Sequence, residues 1–245
     1  MIKTGKIAKI AIICGFLVML FPSCGKNAVQ IKRMQAMEEG VSNPTTAEEF
    51  ELAIKKYQDR VADIEAANAQ IGIWYKLLGT RYLDKKMYKL ALEAFQKATE
   101  YYPTNQNLYY YVGACAGYMA AESLDFKATS SYTQRINYLK LAESAYLQAI
   151  KLDGRYTKAL YGIGVLYVFE LDRNAEAIPY LEKLLTIDTN HTDGMFALAR
   201  AYYYTGQFEN AVAMYDKIIS STKSDEKRMQ AESNKREVLN AYGKN

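Results

Sequence analysis

Histidine and tryptophan occur once each in the 245 residues, cysteine three times and proline four times. One His and three Cys leave little material for a zinc or haem site. No metal and no cofactor is therefore expected. Four prolines and 14 glycines exclude collagen-like and proline-rich designs. Charge is not lopsided either: 31 basic residues face 27 acidic ones, and charged residues make up 24%. That balance excludes a disordered polyelectrolyte. P-loop, HExxH, CxxC and G-x-S-x-G motifs are all absent. Nothing assembles a nucleophile with a base, so no catalytic residue is named and no enzyme is expected. What the chain has is apolar side chains, 50% of the total, and 22 tyrosines. Its length suits one substantial core or one repeat array, not three domains.

Residues 1–23 read as an address. Lys3, Lys6 and Lys9 form a positive start with no acid nearby, and Ile10 to Phe21 are uncharged and mostly apolar. Twelve helical residues cover about 18 Å of a hydrocarbon core about 30 Å thick. That is too short for a membrane span and suits the apolar region of an export signal. Phe21-Pro22-Ser23-Cys24 closes the segment. A small residue followed by Cys at this place resembles a bacterial lipoprotein box, which implies diacylglycerol on Cys24 and cleavage before it. The box departs from the commonest pattern in having Phe21 and Pro22, with Leu20 one position further out. Ordinary cleavage, or a plain loop cysteine, are the alternatives. Removing residues 1–23 takes three lysines and no acid, leaving 28 basic against 27 acidic residues. No nucleic-acid partner is expected of so neutral a chain. With Cys14 removed and Cys24 acylated, only Cys115 remains, in an apolar helical run where inert packing is its simplest role.

The body repeats. With Gly72 numbered as position 1, residues 72–105 place Tyr75 at 4, Leu78 at 7, Gly79 at 8 and Tyr82 at 11. Ala91 falls at 20, Phe95 at 24, Ala98 at 27 and Pro103 at 32. Residues 106–156 repeat the pattern with Gly113, Ala142, Tyr146 and Ala149, and residues 157–191 with Gly164, Tyr167, Ala177 and Leu181. Residues 192–223 follow with Ala199, Tyr202, Ala211 and Tyr215. This resembles the tetratricopeptide repeat at all eight signature positions in the first unit. The resemblance implies an all-α, right-handed α-solenoid of antiparallel helix pairs with four full repeats. Independently of it, apolar residues recur at intervals of three and four, as on helices. Small residues at positions 8 and 20 read as the place where paired helices touch. The third unit carries one extra residue between those positions, and the second about 17, around residues 119–135. The larger insertion reads either as a functional loop or as a longer first helix with a floppy turn.

Residues 24–45 read as a short tether with a helix over Ala28 to Glu39, carrying Ile31, Met34 and Met37. Thr46 and Glu49 have capping-box spacing and open a partial repeat helix, within 46–71, that runs to about Ala67. Residues 224–245 form a polar cap with Met229, Val238 and Leu239 as its apolar members. About ten helices and no strand are expected.

In tetratricopeptide arrays, positions 2, 5, 9, 12 and 13 of the first helices line a concave groove. Carried over, they supply Lys76 from the first unit, Tyr110 and Tyr118 from the second, and Tyr161 and Phe169 from the third. The fourth contributes Phe196, Arg200, Tyr203 and Tyr204. Of the twenty residues at these positions seven are aromatic and three basic. That suits an apolar peptide or partner helix; self-covered core is the competing reading. His191, alone in an inter-repeat turn, reads as solvated. The resemblance implies a membrane-anchored interaction scaffold of the cell envelope, whose partner is another envelope protein or peptide. A transporter accessory subunit holding a small apolar ligand in the same groove is the second reading. Location is expected to be the periplasmic face of a bacterial membrane.

Overall fold

The computed structural model describes residues 45–123 and 129–243. The export signal, Cys24, the helix read over Ala28 to Glu39 and residues 124–128 of the insertion lie outside the described residues. Among the described residues there are nine helices and no strand. In chain order they are α1 (Ala47–Asp84), α2 (Tyr88–Tyr101), α3 (Gln106–Glu122), α4 (Thr129–Leu152) and α5 (Thr157–Val165). Then come α6 (Asn174–Ile187), α7 (Thr192–Tyr204), α8 (Phe208–Ser221) and α9 (Asp225–Tyr242). A wide π-helical turn, Leu166–Glu170, extends α5. The chain divides into two compact units, Met1–Asp63 and Ile64–Asn245.

In the first unit the described residues are the start of α1. Its N-terminus is a capping box: the Glu49 amide donates to Thr46 Oγ1 at 3.2 Å, and the Thr46 amide donates to Glu49 Oε2 at 3.2 Å. The turn expected after Ala67 is not there. Ala67-Asn68-Ala69-Gln70-Ile71 contains no breaker, and α1 continues through it to Asp84.

In the second unit the helices form successive antiparallel hairpins, α3 with α4, α5 with α6 and α7 with α8, with α9 packed on α8. Positions 8 and 24 set the approach. A methyl group added at Gly79 would stand 2.9 Å from the Phe95 ring, and one at Gly113 would stand 2.7 Å from the Tyr146 ring. At Gly164 it would collide with Leu181. The socket left by the small residue is therefore filled by the large residue of the second helix, not by the alanine at position 20. Those alanines, Ala91, Ala142, Ala177 and Ala211, are fully buried. Tyr146 is held from both sides, because a methyl group on Gly162 of the next repeat would stand 2.6 Å from the same ring.

Tyrosine also joins consecutive repeats. The Tyr167 hydroxyl donates to Glu143 at 2.8 Å, and the Tyr202 hydroxyl donates to Glu182 at 2.5 Å. Each acceptor lies on the second helix of the preceding repeat. Each ring is almost wholly buried while its hydroxyl finds an acceptor.

The hairpin turns reuse one device. A residue in the left-handed region, Lys86, Asp172 or Gly206, ends the first helix. The next amide then bonds back to the carbonyl of the position-11 tyrosine: Met87 to Tyr82, Arg173 to Tyr167 and Gln207 to Tyr202. The span is one residue longer at Tyr167, and the π-helical turn is where the extra residue of the third repeat is absorbed. The insertion of the second repeat goes largely into helix. The second member of the pair, α4, is the one most lengthened, beginning at Thr129, ten residues before the first buried leucine, Leu139. Arg135 on this extension pairs with Glu170 of the π-helical turn at 2.7 Å.

The cap helix α9 starts on Ser224, whose Oγ accepts from the Lys227 amide at 3.3 Å. Its buried face is Ala231 and Val238, while Met229 and Leu239 stay exposed. Replacing Gly113 by Val is expected to lower unfolding stability by about 1–3 kcal/mol, because the Tyr146 ring has no free direction in which to move. Gly117→Ala, on the same helix with open space around it, is expected to raise stability by about 1 kcal/mol. Urea denaturation of the two variants checks the pair.

Candidate functional site: an aromatic concave face

The nine residues assigned to the concave face fall into four groups and one outlier. Tyr118 of α3 stacks on Tyr88 of α2, with ring centroids 4.5 Å apart. Tyr110 sits in a nest of rings, 5.3 Å from Tyr111, 6.2 Å from Tyr146 and 6.0 Å from Tyr156, with Lys158 Nζ over it at 5.7 Å. Tyr161 lies one repeat on, 4.8 Å from the His191 ring. Phe169, Phe196, Arg200, Tyr203 and Tyr204 converge around one cavity of about 350 Å³. Lys76, half-buried on α1, joins none of the ring contacts described.

His191 is not simply solvated. It is the N-cap of α7, and its Nδ1 accepts from the Gly194 amide at 3.0 Å. That satisfies one of the free amides at the start of the helix that carries the cavity.

The cavity is built as follows. Arg200 occupies position 9 of the fourth repeat, facing away from Ala199 and the buried seam. Its guanidinium lies 5.1 Å from the Phe169 ring and 4.8 Å from the Tyr204 ring. Phe169 arrives from the π-helical turn of the repeat before, and Tyr204 from the last turn of α7. Both distances are within cation–π range, so the charge is held beside two rings while its N–H groups can still donate to an acceptor. Among the described residues Arg200 makes no ion pair. Phe169 and Tyr204 each expose about half their surface, 52% and 54%.

The remaining wall comes from a part of the chain that the sequence reading used only as a cap. Asn234, Glu237 and Val238 of α9 line the same cavity, beside Tyr215 of α8. Asn234 lies three residues after buried Ala231, and Glu237 and Val238 three and four after Asn234, so one helical face was the available signal. Two inter-element ion pairs hold α9 in place, Lys227 to Asp193 at 2.6 Å and Lys235 to Asp216 at 2.5 Å.

The groups of the second repeat that burial shifts are tyrosines and one thiol. Burial pushes Tyr110 up, Tyr156 up to about 12 and Tyr146 higher still. Cys115 is fully buried, and its thiol is pushed up to about 12 by burial alone. It is not a nucleophile at ordinary pH. No group of three or more His, Cys, Asp and Glu side chains among the described residues is arranged to hold a metal.

Two tetratricopeptide-repeat family models match the chain, over residues 73–105 and 168–231. A TPR repeat-containing protein of Borreliella burgdorferi is 26% identical over 217 residues, covering 86% of this chain and 92% of that protein. Among solved structures, the thermophilic TPR protein TTC0263 of Thermus thermophilus superposes with a TM-score of 0.53 at 18% identity. That match covers 87% of this chain and 96% of the other. YrrB, a TPR protein with an unusual peptide-binding site, superposes with a TM-score of 0.52 at 20% identity, covering 85% and 89%.

The buried phenols give the face a pH dependence of known sign. In the unfolded chain they ionise near 10, and in the fold later. The unfolded state therefore sheds protons first as pH rises. Stability is expected to be complete below about pH 10 and to fall between about 10 and 12. Absorbance of tyrosinate and circular dichroism, recorded together, should show the last phenols ionising with the loss of helix.

Proposed function

We propose that this chain, a tetratricopeptide-repeat protein, is an exported and lipid-anchored scaffold of the bacterial envelope. It binds another envelope protein or peptide at the C-terminal end of its concave face. The single observation that carries the reading is Arg200, within cation–π distance of both Phe169 and Tyr204 and in no ion pair among the described residues, in a cavity walled by the chain's own last helix. A side chain with this arrangement suits a carboxylate flanked by an apolar group. The guanidinium edge takes the acid, and the exposed faces of Phe169, Tyr203 and Tyr204 take the apolar neighbour. Aromatic and arginine side chains beside a shaped cavity are the usual anchors of protein partners. Support for the anchor is the sequence of residues 1–24, and support for an interaction role is the family.

A second reading is favoured by the cavity volume. About 350 Å³ is within the range of small-ligand sites, and an apolar carboxylate would fit the same contacts. Native mass spectrometry of the purified protein separates the two readings, since only the small ligand is retained without a polypeptide.

The groove is tested by photocrosslinking from Tyr203 in native membranes and identifying the product by mass spectrometry. The double variant Phe169→Ala, Arg200→Ala is expected to lower recovery of that product about 30-fold, equivalent to the roughly 2 kcal/mol of a hot-spot pair. Unchanged recovery rejects the site. The anchor is tested by metabolic labelling with a fatty acid: label is expected on the unaltered chain and absent from Cys24→Ala.

A further inference from the structure

The cavity beside Phe169 is lined by charges of both signs. Arg200 comes from α7 and Glu237 from α9, and Asn234, one turn before Glu237, supplies an amide. Tyr215 of α8 stands in the same wall and registers both charges. Burial pushes its phenol up, and a hydrogen bond with Asn234 and the charge of Arg200 pull it down. The charge of Glu237 pushes it up again. Elsewhere on α9, opposite charges close on each other: Lys227 reaches Asp193, and Lys235 reaches Asp216. Arg200 and Glu237 do not. Among the described residues neither is in an ion pair, with the other or with any third group. Arg200 lies against the Phe169 and Tyr204 rings instead, and Glu237 is left exposed.

A ligand whose only charge is a carboxylate would satisfy Arg200 and bring a second negative charge into the cavity that Glu237 lines. Resting on the reading that Arg200 takes a carboxylate, we propose that the occupant carries a cationic group as well, a carboxylate and an ammonium on one apolar body. Arg200 donates to the carboxylate, Glu237 accepts from the ammonium, and the exposed rings of Phe169 and Tyr204 hold the apolar part. A free α-amino acid with an apolar side chain has this chemistry. So has the C-terminal lysine of a peptide with an apolar residue before it. Glu237 is then the residue that sets specificity: it repels the plain anions that Arg200 alone would accept. The second charge comes from the helix that closes the end of the array, so the fourth repeat without α9 would lack the discrimination.

The experiment is titration calorimetry of the purified full-length chain with two matched pairs of probes. L-phenylalanine is compared with hydrocinnamate, which lacks the ammonium. The peptide acetyl-Ala-Phe-Lys is compared with acetyl-Ala-Phe-norleucine, in which the lysine ammonium is gone. In at least one pair the probe with both charges is expected to bind about tenfold more tightly, as a charge-assisted hydrogen bond allows. The pair that shows the difference tells a free amino acid from a peptide terminus. Glu237→Gln is expected to abolish the difference by weakening the doubly charged probe and not the plain carboxylate. Glu232→Gln, exposed on α9 outside the cavity lining, is expected to change neither. Equal affinities within both pairs, or a preference that survives Glu237→Gln, overturn the proposal and leave the carboxylate reading standing. Failure of all four probes to bind overturns it too, and the photocrosslink from Tyr203 then reports separately on the carboxylate reading.

Discussion

A bulky side chain seated where another side chain is missing is the contact on which the second unit depends. Gly79, Gly113 and Gly164 leave sockets that Phe95, Tyr146 and Leu181 occupy. A helical glycine costs about 1 kcal/mol relative to alanine, so the recurrence has to be offset by packing. It is offset because close approach lets each large residue reach across the hairpin and exclude water from both helices. Tyr146 is confined between Gly113 and Gly162, which belong to different repeats. The same contact therefore closes one hairpin and stacks it on the next. No lone hairpin buries its apolar face; the stack does.

The consequences reach the candidate site. Position 8 of the fourth repeat, Ala199, is fully buried, and its neighbour Arg200 at position 9 is exposed. The π-helical turn then adds a local adjustment. One extra residue, accommodated as a wider turn instead of a loop, keeps Tyr167 bonded back to Arg173 and buries Val168, while Phe169 is left exposed beside Arg200. Glu170 at the end of this turn is held by Arg135. The lengthened α4 of the second repeat thus braces the residue next to Phe169, and two irregularities of the repeat pattern meet at one place.

Tyrosine serves both purposes, which explains its abundance. Its ring supplies core area, and its hydroxyl finds an acceptor when buried, as at Tyr167 and Tyr202. Where no seam needs it, as at Tyr204, the same residue is an exposed contact surface. Composition alone does not separate these two uses. The positions within the repeat do so only partly, since Tyr110 lies among other rings while Tyr204 borders solvent.

The sequence by itself determined the recurrence of helix pairs, the capping box at Thr46 and Glu49, and the burial of Cys115. All of these rest on local spacing, and the periods of helices and of the repeat are visible in one dimension. Tertiary structure decided what depends on side chains far apart in the chain. Position 24 rather than position 20 fills the glycine socket, because a large side chain spans a gap that a methyl group does not. Asn234, Glu237 and Val238 wall the cavity because α9 folds back beside the concave face, and nothing in a polar stretch of 18 residues announces which neighbour it will meet. The His191 ring meets the Tyr161 ring of α5 only once that helix and α7 are packed together. Local pattern specifies which elements form; only their packing decides which of their exposed residues share a site.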